Sequence, residues 1–112
     1  MPGTIRTLAG PLALTNTYTT NVFNDTNTNV FNVVRHIHIA NKTSAAVTFR
    51  LYMGTTGANT AGTELFYDKS VPAFDYLDWY GLLRMASTDF LVGGASASTS
   101  LTITIMGERI PV

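Results

Sequence analysis

The chain is 112 residues long, the size of one domain, and 46% apolar residues are enough for a core. Charged residues make up only 12%, seven basic against seven acidic, about half the roughly 25% usual in soluble domains. That balance argues against nucleic acid or an anionic membrane as partner and removes the self-repulsion that keeps monomers apart. There is no cysteine, so disulfide frameworks, thiolate metal sites and a cysteine nucleophile are excluded.

Residues 1–6 lack the basic stretch and apolar run of a secretory signal, and no segment approaches the roughly 20 apolar residues of a membrane span, so cytoplasmic synthesis without cleavage is expected. Residues 1–10 carry Pro2, Gly3 and Gly10 around a short apolar stretch. They are read as an N-terminal arm gripping an adjacent subunit through Ile5 and Leu8, with residues 11–112 as a single domain.

Short strand candidates lie at 5–8, 12–18 and 30–34. Residues 21–32 read NVFNDTNTNVFN, a repeat about a polar turn that suggests a small hairpin or merely an Asn/Thr-rich stretch. Residues 35–39, RHIHI, alternate polar and apolar, and residues 45–53 present Ala45, Val47, Phe49, Leu51 and Met53 on one face. Residues 41–44 supply turn formers between these two runs, which are expected to pair as an antiparallel hairpin.

Residues 54–62 hold three glycines and read as an exposed loop. Further strand candidates are 64–67, 75–80 and 90–92. Residues 79–86 favour a helical turn or two through Leu82, Leu83 and Met85, although Gly81 weakens it. After the small-residue stretch 93–98, Leu101, Ile103 and Ile105 alternate with Thr102, Thr104 and Met106 as a final strand. Gly107 interrupts it and residues 110–112 extend it as an edge. The whole predicts an all-β, antiparallel, jelly-roll-like sandwich of about eight short strands with no long helix.

His36 and His38 are two apart on a strand, so both point to one face and can present two imidazoles to one metal ion. No third ligand stands nearby in sequence, and two polar residues on the solvent side of Ile37 and Ile39 is the plainer explanation. Asp68, Asp75, Asp78, Asp89 and Glu108 offer carboxylates for a glycosidase-like pair about 5–10 Å apart. No nucleophile or oxyanion partner accompanies them, and Asp75 and Asp78 are expected to bond local backbone amides. Six aromatics, Phe66, Tyr67, Phe74, Tyr76, Trp79 and Tyr80, lie within fifteen residues. They divide between core packing, a subunit interface and a sugar-stacking surface. No Walker sequence, dinucleotide fingerprint or zinc-finger spacing occurs, and no cofactor is expected.

From residue 34 onward the pattern RHIHIANKTSAAVTFRLYMG, a Gly/Ala/Thr loop, an aromatic segment, Leu91-Val92-Gly93-Gly94, a Ser/Ala stretch and the ending Gly107-Glu108-Arg109-Ile110 resembles a family of small tailed-bacteriophage virion proteins. Arg109 departs from that family's Gly-x-Glu-Ile-like ending. The resemblance implies a β-sandwich, homo-oligomeric and often trimeric, located in the virion as a capsid decoration or cement subunit, or at the collar or tail. Its partner would be the major capsid protein or another virion protein, and it names no catalytic residues. Ile5, Leu8, Phe74, Tyr76, Trp79 and Tyr80 are the expected interface. Two other functions compete: a carbohydrate-binding module, in a host-recognition part of a virion, with Trp79 and the neighbouring tyrosines as its stacking platform, and a small enzyme using Asp75 or Asp78.

Overall fold

Each alternating run buries one face, and one sheet closed over another is how eight such strands hide those faces together. The computed structural model describes residues 4–111. Its strands are β1 (Thr4–Ala13), β2 (Thr20–Phe23), β3 (Val30–Asn41), β4 (Val47–Gly54), β5 (Glu64–Val71), β6 (Tyr76–Met85), β7 (Phe90–Ala95) and β8 (Leu101–Pro111). There is no helix among the described residues, so none is long and apolar enough to cross a membrane.

The strands form two four-stranded antiparallel sheets, ordered β1-β8-β3-β6 and β2-β7-β4-β5. First pairs with last, second with seventh, third with sixth and fourth with fifth, as if one long hairpin had been rolled over itself. That is the jelly-roll sandwich. Val34, Ile37, Ile39, Leu101, Ile103 and Ile105 of the first sheet meet Phe49, Leu51, Val71 and Leu91 of the second, all essentially inaccessible to solvent.

Four expectations change. The runs 35–39 and 45–53 do not pair as a hairpin: β3 and β4 lie in opposite sheets, because two strands with apolar inner faces bury more by facing each other than by lying side by side. Asn41 turns the chain between them. Its side chain is buried, donating to the carbonyls of Ala45 (2.9 Å) and Val71 (3.1 Å) and accepting from the Thr43 backbone amide (2.9 Å). The two NVFN copies separate in the same way, one into β2 and the other into the start of β3.

Of residues 79–86, all but Ala86 are strand, not helical turn. In β6, Trp79, Leu83 and Met85 turn toward the core while Tyr80, Leu82 and Arg84 turn out, and pairing with β3 overrides the helix preference of the leucines. Finally, Thr4–Gly10 of the expected arm lies in β1, paired along the chain's own β8 from Thr4 opposite Arg109 onward. β8 would otherwise expose an unpaired edge, which β1 covers. Residues 1–3 of the arm, like Val112 at the expected C-terminal edge, lie outside the described residues.

The β2–β3 connection is tied to β8 by Asp25. Arg109 Nε donates to its carboxylate at 2.8 Å and the buried Asn32 amide at 3.0 Å. These donors, Arg109 first, hold the Asp25 carboxyl down at about 2 against an ordinary 3.8. Folding lowers this pKa, so the interaction stabilises fully above about pH 4 and fades as pH falls toward about 2. The expected loss over that window is on the order of 1–2 kcal/mol, allowing for solvent screening of Arg109. Urea titrations between pH 2 and 6 should show it, with a flatter profile for Asp25→Asn.

Candidate functional site: the outer face of β3 and β6

In a strand, side chains alternate between faces, so a phase break must be built deliberately. β3 has one. Val34 points into the core, yet Ile37, three residues on, does so too, and the ladder register to both neighbours shifts between Val34 and His36. Arg35 is the extra residue, a β-bulge measured against β8. Without it His36 and His38 would share the inward phase of Asn32 and Val34. With it, both imidazoles stand on the outer face.

There they meet Asp78 of β6. His38 pairs directly with Asp78 across the strands, and His36 pairs with Tyr80. His36 Nε2 and His38 Nδ1 each lie 2.7 Å from the same oxygen, Asp78 Oδ1, so that oxygen accepts from both rings. This proximity, to His38 first and then to His36, holds the Asp78 carboxyl below the usual carboxylate range. Side-chain exposure of the three is 22%, 36% and 22% for His36, His38 and Asp78, which leaves them reachable but not freely solvated.

Tyrosines flank the trio. Tyr80 stacks on the His36 ring with centroids 4.5 Å apart and planes 6° off parallel. Tyr76 lies 5.4 Å from His38, tilted by 32°. Leu82 extends the apolar strip along β6, and Phe74 stands in the turn before the strand, each 73% exposed. Phe74 has φ +53°, a left-handed conformation that bulky residues avoid, and its amide is anchored to the Thr43 carbonyl at 3.0 Å.

The six expected interface residues divide. Phe74, Tyr76 and Tyr80 are exposed on this face, whereas Trp79 turns inward and packs against the core. It lines a cavity of about 110 Å³ with Ile37, Leu65, Phe66 and Leu83. Ile5 is exposed on β1, at the opposite edge of the same sheet, and Leu8 packs against the core. Of the carboxylates, Asp75 accepts from the Tyr76 amide (2.8 Å), as expected of a turn residue, while Asp78 instead serves the two histidines. Asp89 accepts from the Ala86 amide, Asp68 from Arg50, and Glu108 faces Arg35.

One cluster escaped the sequence reading. On the outer face of the second sheet the Arg50 guanidinium lies between the Tyr18 ring (4.4 Å) and the Tyr67 ring (4.1 Å) while donating to Asp68. Nothing in the alternation of residues 45–53 marks Arg50, because its partners lie in other strands and loops.

Strand order and site together define a jelly-roll sandwich with an uncovered aromatic and imidazole face. The chain matches no protein-family model, and no curated protein matches it as a relative.

Proposed function

We propose that the protein is a structural subunit of a repeated assembly, a virion decoration or cement subunit of the kind its sequence pattern resembles, acting by burying surface rather than by turnover. The observation that carries this reading is the set of large apolar and aromatic side chains left uncovered at the sheet edge, Tyr76, Tyr80 and Leu82 along β6 and Phe74 in the turn before it. On a chain this poor in charge, such a strip supplies the aromatic anchors on which protein interfaces depend. The strained backbone of Phe74 fits the same role, since a left-handed bulky residue persists where function needs its side chain presented.

The occupant of the strip is a second copy of this chain. Ile5, on the opposite edge of the sheet, offers the complementary apolar contact, and an interface joining two different patches forms a ring where the rotation between copies closes. We take that ring to be a trimer, seated on the major capsid protein or another virion protein. A carbohydrate-binding module is the weaker reading, because Trp79, the centre of the expected stacking platform, turns toward the core and leaves only its tyrosine neighbours Tyr76 and Tyr80 exposed. The test is the solution mass of the wild-type chain against a Phe74→Asn/Leu82→Lys double variant. Asparagine accepts positive φ and both positions are exposed, so the variant should keep its fold while losing the interface.

A further inference from the structure

We propose that His36, His38 and Asp78 bind a single divalent transition-metal ion of the zinc class through His36 Nε2, His38 Nδ1 and an Asp78 carboxylate oxygen, with water completing the coordination.

The donor atoms are already gathered, all within 4.8 Å of one another. Two imidazole nitrogens and one carboxylate oxygen are the donor set of zinc sites that keep an open position, and imidazole favours zinc and its late first-row neighbours over calcium or magnesium. The bulge at Arg35 supplies an independent reason to read the trio as built. It breaks the alternation of β3 at the one place that turns both imidazoles outward, and bulges of this kind re-aim side chains beside functional sites.

Rigidity comes from the surroundings. The ligands sit on two hydrogen-bonded strands, Tyr80 stacks on His36, and Tyr76 braces His38, so little side-chain freedom remains to be lost on binding. In the ion-free site the Asp78 oxygen occupies the space between the two rings that the metal takes. Zinc–nitrogen bonds of about 2.0–2.1 Å require the carboxylate to rotate out of that space and the two rings to draw in around the ion, each neutral imidazole then carrying its proton on the other ring nitrogen. Once bound, the ion joins the edge strand β6 to β3. The site is complete within one chain and does not rest on the assembly reading.

Zinc chloride titrated into the chelator-treated full chain tests this, followed by calorimetry and by the histidine ring resonances. One ion per chain is expected, together with shifts of the His36 and His38 ring signals and a melting temperature that rises with free zinc. Asp78→Asn should weaken binding at least about tenfold, and His36→Gln/His38→Gln about a hundredfold or more. Ring signals that do not move in the wild-type chain would overturn the proposal whatever the variants do. So would one ion shared by two chains, or Asp78→Asn binding as tightly as wild type.

Discussion

Replacing Phe49 with alanine is expected to destabilise the fold by about 3–5 kcal/mol. Phe49 lies in β4, fully buried, with its ring 5.3 Å from that of Phe66 on the neighbouring strand. It faces the isoleucines of the other sheet, so truncation removes apolar contact and leaves a void between two sheets, each stiffened by its own hydrogen-bond ladders and spaced by the side chains packed between them. Collapse into that void would need a whole sheet to move. A domain of this size has a total stability of only about 5–15 kcal/mol, so the variant should show a large fall in its urea midpoint with the slope unchanged. A loss below about 1 kcal/mol would mean that the inner faces are far less closely packed than described.

Gly107→Val is expected to cost about 3 kcal/mol or more, through overpacking rather than a cavity. Gly107 lies opposite Val34, at the last regular rung before the Arg35 bulge. A Cβ there would fall on the Val33 carbonyl oxygen and crowd the Leu8 side chain. The first obstacle is backbone in the middle of the sheet, held between β8 and β6, so it cannot yield as a flexible side chain would. Because the bulge turns His36 and His38 outward, any relaxation that admits the larger residue should also disturb the imidazole pair. Thermal melting reads the first effect and the histidine ring resonances read the second. A variant that melts within a degree or two of wild type would contradict the close approach of β8 to β3.

Local pattern carried the sequence analysis a long way. Val47, Phe49 and Leu51, like Leu101, Ile103 and Ile105, announce their inner face by strict alternation, and all are buried. The shared face of His36 and His38 was equally legible, since a spacing of two on a strand leaves no other choice. What escaped was non-local. The partner of each strand depends on how the long hairpin rolls up, so a turn-rich connection at residues 41–44 reads as a hairpin when it in fact crosses between sheets. Asp78 lies 40 residues from His38, and no spacing rule links them. The Arg35 bulge hid in plain view: residues 30–34 and 35–39 each look like a separate strand because their phases disagree, and one inserted residue in a single strand produces the same disagreement. Residues 79–86 misled in the opposite direction, through leucines whose helix preference is a fraction of a kcal/mol against a full ladder of cross-strand bonds.

The measurement that bears most directly on the account is the mass of the purified chain by light scattering over a wide concentration range, beside the Phe74→Asn/Leu82→Lys variant. A closed trimer is expected for the wild-type chain and a folded monomer for the variant. A wild-type chain that stays monomeric at every concentration, or a variant that assembles as well as wild type, would contradict it.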